Sequence, residues 1–579
     1  MLKGFYGKLL RVDLDRHTYG EEEIPEEIFR RCLGGKGLGT YLLLNNVDQS
    51  ADPLGRENKL IFTTGPATGT RMPGSSRHGL FAKSPQTGGY AESYAGGKVA
   101  PKIKATGYDA IILEGKSATP VFLEISDAGV KFHPASDLWG KDTYTTEDEV
   151  KERVGVPKAQ AVVIGPAGEN MVRFACVENN YWRSSGRGGM GAVMGSKNVK
   201  AVVFHGSKAA AIADEETLNS FVKNLITSSK DLPGVKNYKK YGTAQMVALL
   251  NSAKAFPTRY WSKGVKEGWE KISGEALISN FKVVPKTCPG CFISCGDLTT
   301  IEEGPRAGLT LEGPEYETIY AFGGLCCIDR LDDIIYLNDV CDRLGMDTIT
   351  GGNLVALAME ARERGLNKDF PQYGDADGAA RLLEDMAYRT GPGAVFSNGI
   401  IAAAKALGMA GETIHVKGME PPGYDPRVLK GMGLGYATSA RGACHLRATF
   451  YKPELSGIIS PDAIEGKAAL FIEYEDRLTI FNTFINCTFY RDLLQWNELQ
   501  TVIKAITGWE YTVEELRRMA NEIVTMTHLF NLQNGLGKES DALPKRLHKQ
   551  PLPETGAIIK EEDLAYMLKD YYTLRGWDE

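Results

Sequence analysis

Thr287-Cys-Pro-Gly-Cys-Phe-Ile-Ser-Cys-Gly296 sets three thiols, Cys288, Cys291 and Cys295, at Cys-x-x-Cys-x-x-x-Cys spacing with Pro289 and Gly290 between the first two. No packing requirement asks for that pattern, and three thiols cannot pair off among themselves. The stretch reads as a metal loop. A [4Fe-4S] cluster takes three thiolates from one local run and a fourth from a distance, and Cys487 is the candidate for the fourth. Zinc is the rival ion, but structural zinc usually draws its thiolates as two close pairs and the sequence shows no second pair. Three buried cysteines acting as small apolar side chains are the plainest alternative.

Working outward, a chain of 579 residues is too long for one core, and about two to four domains are expected. A net charge of −6 leaves no electrostatic footprint for nucleic acid. Met1 to Asp15 alternates in the manner of a strand followed by a turn, not of a signal peptide, and no apolar run approaches the length of a membrane span. Ten cysteines without a signal segment fit a reducing cytoplasm, where Cys32, Cys176, Cys326, Cys327, Cys341 and Cys444 are expected to be free.

Short strands dominate roughly the first 210 residues: Lys8 to Leu14, Lys59 to Thr64, Ala110 to Glu114, Val121 to Ile125, Gln160 to Ile164 and Ala201 to Phe204. Few helical periods fit between them, so this part reads as a β-rich domain presenting glycine loops. From Asp214 onward the periodicity is helical. Leu331, Ile334, Ile335, Cys341 and Leu344 mark a helix stopped at Gly345, and further helices are expected over Asn353 to Arg364, Ala379 to Tyr388, Ile400 to Leu407 and Val513 to Phe530. A turn-rich linker runs from Pro421 to Pro426. No internal repeat and no low-complexity tract interrupts the chain.

Two glycine runs carry weak signals. Gly34-Gly-Lys-Gly-Leu-Gly39 fails the phosphate-loop test because the spacing and the Lys-Ser/Thr pair are wrong. Gly186-Arg-Gly-Gly-Met-Gly191 matches G-x-G-x-x-G, yet no buried strand precedes it and a crossover helix does not fit before Ala201. What remains is either a tight turn needing positive φ or an anion loop flanked by Arg183 and Arg187.

Six separated motifs, in one order, carry a family resemblance: Arg183 to Lys197, the cysteine loop, Glu312-Gly-Pro-Glu-Tyr-Glu317, Asp342-Arg-Leu-Gly-Met-Asp347, Asp425-Pro-Arg427 and Arg441-Gly-Ala-Cys-His445. End to end, the chain resembles the tungsten-containing aldehyde:ferredoxin oxidoreductase family. The resemblance implies an α+β fold: a β-rich pterin-binding domain at 1–210, a helical domain at 211–417 with three cluster cysteines, and a helical domain at 418–579 with the fourth. It implies a tungsten bis-pyranopterin, a [4Fe-4S] cluster on Cys288, Cys291, Cys295 and Cys487, and Mg2+ between the pterin phosphates. The activity it implies is aldehyde oxidation to the acid.

By motif, Arg77, Tyr94, Gly96, Arg183, Ser184, Gly186 and Arg187 fall where the family contacts pterin and phosphate, with the carbonyls of Tyr94 and Ser184 toward Mg2+. Asp342, Met346 and Asp347 match the first Asp-x-x-Gly-Leu-Asp pterin motif, with Met for Leu. Arg441 and Arg447 accompany them. The second motif reads Asn482-Thr-Phe-Ile-Asn486-Cys487 and departs from the pattern, the carboxylate and glycine being replaced. Glu317 and His445 are the candidates for chemistry, a carboxylate base and an imidazole donor; Glu312 and Glu315 stand in the same stretch. Taken singly, a helix-start carboxylate and a core histidine would explain them as well.

Some members dimerise around a single iron held by Glu and His. This chain has Tyr336 at the Glu position and no histidine between His205 and His415. That bridging iron is therefore not expected, which leaves room for a hetero-oligomer and an external electron acceptor, a ferredoxin or iron-sulfur subunit. Two other readings stay open: a reductive subunit acting on an aromatic thioester, to which Cys326 or Cys327 would lend a metal ligand, and a non-catalytic cluster carrier. Neither the aldehyde nor tungsten over molybdenum can be read from the residues.

Overall fold

Alternation along the first strands builds two stacked sheets in the computed structural model, which describes residues 2–577 and so leaves Met1 outside. The first has six strands in the order Thr18–Glu23, Lys8–Asp13, Ala110–Glu114, Leu60–Thr63, His78–Lys83, Tyr90–Ala95. The second, also of six, runs Arg183–Ser185, Val177–Asn179, Gln160–Val163, Val199–Phe204, Val121–Ser126, Gly129–Pro134. Each sheet holds one parallel pair, Lys8–Asp13 with Ala110–Glu114 and Val199–Phe204 with Val121–Ser126. Because side chains alternate faces, Leu10, Val12, Phe62, Ile111 and Leu113 meet Leu123, Val162, Val202 and Phe204 between the sheets. Their sequence neighbours Leu9, Ile61, Phe81 and Ile112 face the other way, into a helical layer.

That layer corrects two expectations. Gly34 to Gly39, read as a loop, lies in a helix, Gly35–Asn46. Its glycines serve close packing: a Cβ on Gly35 would stand 2.2 Å from the Asn482 carbonyl, and one on Gly39 2.3 Å from the Phe81 ring. Thr143–Val154 is a second helix among strands where few helical periods were expected, started by an Asp142 cap on the Thr145 amide at 2.8 Å. After the Gly186 run, the helix Met190–Ser196 does fit ahead of Val199, and a short strand, Arg183–Ser185, does precede it. That strand pairs antiparallel with Val177–Asn179, so no parallel dinucleotide-binding unit forms.

Local chemistry sets the helices that follow. Asp214 caps Glu215–Ser229 through the Thr217 amide at 2.9 Å, and Leu331–Leu344 stops at left-handed Gly345. Thr348–Glu363 starts earlier than its periodicity suggests because Asp347 caps it from two amides. The cysteine run is the loop between antiparallel strands Lys282–Lys286 and Gly296–Thr300, in a sheet of three with Thr310–Glu312. Among the described residues no helix is long and apolar enough to cross a membrane.

The two ends of the chain share one core. Gly35–Asn46 packs on Lys467–Phe484 and Val513–Gln533, joining Phe29 and Leu38 to Phe481 and Ile523. Cys487, just beyond Lys467–Phe484, donates its amide to the Gly74 carbonyl at 2.9 Å. Gly35→Ala should open this seam at a cost of about 1–3 kcal/mol from overpacking. A lower urea midpoint would register it; an unchanged midpoint would mean that the helix can slide away from Asn482.

Candidate functional site

Between the paired sheets and the helical layer lies a cavity of about 400 Å³, within the range of ligand-holding sites. Cys288, Cys291 and Cys295 line it from the hairpin, and Cys487 lines it from the segment after the long helix. Tyr94 and Gly96, at the end of Tyr90–Ala95, form another wall with Arg77. Arg183, Ser184, Gly186 and Arg187 approach from the glycine loop, while Glu317, Arg441 and His445 stand on the helical side. Thus separate motifs meet around one void.

Six expected residues stand behind the lining. Arg447 pairs with Glu92, which Lys36 also reaches at 3.2 Å; burial alone would raise the Glu92 pKa, but Arg447 and Lys36 prevail and hold it at about 2. Asp347 takes Arg187 Nε at 3.0 Å beside its helix cap. The Asp342 carboxyl is pushed well up by burial and by Glu178, and its Oδ2 accepts from Asn338 at 2.7 Å. Met346 bridges to Ala175. Asn482 is buried against Gly35, and Asn486 accepts the Cys487 amide at 2.7 Å while its Nδ2 has no partner.

The thiols are spaced around the void. Among the described residues no three His, Cys, Asp or Glu side chains converge closely enough to grip one metal ion. Donors already approach the thiols: the Gly97 amide lies 3.3 Å from Cys288 Sγ, and the Tyr490 hydroxyl 3.1 Å from Cys291 Sγ.

Of the three carboxylates in the Glu312–Glu317 stretch, two are occupied. Glu312 pairs with Arg183 and, at 3.7 Å, with Lys286; Glu315 accepts from Thr243. Glu317 accepts the Gly423 amide on Oε2 at 2.9 Å and leaves Oε1 unpartnered, 3.6 Å from His445 Nε2. Their side chains are only 15% and 13% accessible, and both line the cavity. Burial pushes the Glu317 carboxyl up to about 8, and burial with Arg187, Arg441 and Arg447 pushes His445 well below the usual imidazole range. Near neutral pH both groups therefore stand uncharged, an acid facing an imidazole.

The cavity fits a large anionic group. Among the described residues Arg77 has no carboxylate partner, and it lies over the Tyr94 ring at 5.6 Å. Arg441 spends one Nη on the Glu92 carbonyl at 2.7 Å and the other on Cys444 Sγ at 3.0 Å, leaving Nε unpartnered. Burial of the Cys444 thiol is outweighed by Arg441 and Arg447, which bring it down to about 7. Arg441 is buried and Arg77 partly so; a desolvated guanidinium without a carboxylate is costly, and an anionic occupant would relieve that cost.

The family model for the aldehyde ferredoxin oxidoreductase N-terminal domain matches residues 9–206, and that for domains 2 and 3 matches residues 220–579. The chain belongs to the aldehyde ferredoxin oxidoreductase family. It is 37% identical to the tungsten-containing aldehyde ferredoxin oxidoreductase of Pyrococcus furiosus and 39% to that of Pyrococcus abyssi, over the whole chain and 97% of each relative. Among solved structures, the active-site complex BamBC of benzoyl coenzyme A reductase superposes with a TM-score of 0.85 over 100% of this chain and 95% of that one. At 23% identity that likeness speaks for the fold alone. The chain is thus an oxidoreductase of α+β fold, and its family implies a tungsten-pterin cofactor.

Some lining residues escaped the sequence reading. Tyr424 stacks on His445 at 5.6 Å and on Tyr451 at 4.2 Å, and Arg491 lies beyond them. No spacing rule singles out a tyrosine or arginine whose neighbours come from distant segments.

Proposed function

We propose that the cavity holds a tungsten bis-pyranopterin beside a [4Fe-4S] cluster on Cys288, Cys291, Cys295 and Cys487, and that the chain oxidises aldehydes to carboxylic acids. The observation carrying this is the Glu317–His445 pair, 3.6 Å apart, in a cavity that four thiols also line. The reaction adds a water oxygen to the aldehyde carbon: RCHO and H2O give RCOOH, two protons and two electrons. When bound, the metal centre supplies the two-electron acceptor; ferredoxin or an iron-sulfur partner subunit takes the electrons onward through the cluster.

The chain's own groups divide the remaining work. Glu317, as carboxylate, takes a proton from water or the hydrated aldehyde through its free Oε1, while the Gly423 amide holds Oε2. His445, neutral, donates an N–H toward the substrate oxygen and is kept in place by stacking on Tyr424. Arg77, Arg183, Arg187 and Arg441 would offer cationic partners to the cofactor's phosphates, and the carbonyls of Tyr94 and Ser184 would supply oxygen ligands for Mg2+. Asp342, Met346 and Asp347 back one pterin; Asn482, Asn486 and Arg447 back the other, where amides replace a carboxylate. Cys326 and Cys327 point at the Gly352 and Gly324 carbonyls and lie outside the lining, so they lend no support to the second reading, a reductive role on an aromatic thioester.

Replacing Cys487 by Ala should abolish or convert the cubane signal in electron paramagnetic resonance. An unchanged spectrum would hand the fourth-ligand role to another residue. Glu317→Gln and His445→Asn should each lose at least about 10²-fold in turnover with tungsten content unchanged; joint loss of metal and activity would make the group structural.

The pH dependence has a fixed sign. Since the Glu317 carboxyl is raised to about 8 and serves as a base, kcat/KM should climb as pH rises through about 8. Glu317→Gln should flatten that limb. A wild-type profile falling over the same interval would contradict the base assignment.

A further inference from the structure

Arg491 is 1% exposed and lines the cavity, yet it has no carboxylate within ion-pair distance among the described residues. Its Nη1 donates to the Thr488 carbonyl at 2.8 Å, Nη2 makes only a long 3.4 Å contact with the Tyr451 hydroxyl, and Nε has no partner. The Tyr238 phenol sits beside it. Asp492, next in sequence, is turned to Lys452 at the surface. Most other deeply buried arginines are neutralised: Arg187 by Asp347, Arg427 by Asp425, Arg447 by Glu92 and Arg575 by Glu475 and Asp476. A desolvated, unpaired guanidinium facing a void is expensive unless an anion enters.

We propose that Arg491, with the phenols of Tyr451 and Tyr238, is a subsite for a negatively charged tail on the aldehyde. The subsite rests on the oxidation reading and narrows it to substrates with an anionic group a few carbons from the reacting carbonyl. Position supports this. The rings of His445, Tyr424 and Tyr451 form a stacked ladder, at 5.6 and 4.2 Å between centroids, that leads from the Glu317–His445 pair to the guanidinium. A short chain running along the edges of those rings would reach both ends. The planar guanidinium suits a bidentate carboxylate, sulfonate or phosphate.

The test compares 4-oxobutanoate with butanal, a chain of equal length without the charge, on the purified holoenzyme with a viologen acceptor. The wild-type ratio of kcat/KM should favour the anion by at least about 10²-fold, because a buried polar site rejects an analogue that leaves it unpaired. Arg491→Gln should collapse that ratio at least about tenfold and Arg491→Lys should restore part of it; a ratio cancels any loss of loaded enzyme. Sulfoacetaldehyde and glyceraldehyde 3-phosphate, run as further arms, identify which anion is preferred. Equal turnover of butanal and all three anionic aldehydes overturns the subsite and assigns Arg491 to the cofactor's phosphates, while aldehyde oxidation stands. Calorimetric binding of succinate to the wild-type holoenzyme separates the other failure. Succinate bound in an Arg491-dependent way with no aldehyde oxidised would sink the oxidation reading and keep the anion site.

Discussion

A single buried guanidinium ties the three parts of this molecule together. Arg187, from the glycine loop of the strand-rich part, donates Nε to Asp347 at 3.0 Å, Nη1 to the Ala443 carbonyl at 3.0 Å and Nη2 to the Glu420 carbonyl at 2.6 Å. Asp347 belongs to the start of a central helix, and Glu420 and Ala443 to the later segment that carries His445. Breaking a buried pair costs about 3–5 kcal/mol because it strands a charge, so the contact fixes where three segments meet. The cavity is what their meeting encloses.

From that clamp follows the electrical character of the site. Carboxylates behind the lining, Glu92, Asp347 and Glu312, hold arginines and a lysine in fixed directions, while the cavity itself keeps Arg77, Arg441 and Arg491 without carboxylate partners. The same burial that makes free charge costly keeps Glu317 protonated and His445 neutral at neutral pH. Cations thus surround an uncharged reacting pair. Such a site is poised to receive anions at its walls and to move protons at its centre.

What could be read from the sequence was what is decided locally. The cysteine spacing, the Asp214 cap and the Gly345 stop each depend on a few consecutive residues, and each could be read without knowing its surroundings. The glycines of Gly34 to Gly39 were misread because what demands them is remote: Asn482 and Phe81 crowd a helix that would otherwise not dock. The roles of Glu312, Glu315 and Glu317 could not be separated by position either, since the partners that distinguish them, Arg183, Thr243 and Gly423, lie in other segments. Arg491 was invisible for the same reason. Its significance is the absence of a partner, and partners are a property of the fold.

The placement of the thiols couples folding to cofactor loading. Three of them sit on a hairpin loop whose Pro289 and Gly290 are exposed, and the fourth follows a helix buried against the first helix of Gly35–Asn46. A cluster bridging both can close only when the end of the chain has docked on its beginning, so on the proposed ligand set its binding energy is also folding energy for that seam. The hairpin tip is then the part of the cluster site nearest solvent, while Glu317 and His445 remain enclosed. On the proposed reading, electrons would leave by the hairpin while the reacting pair stays enclosed behind it.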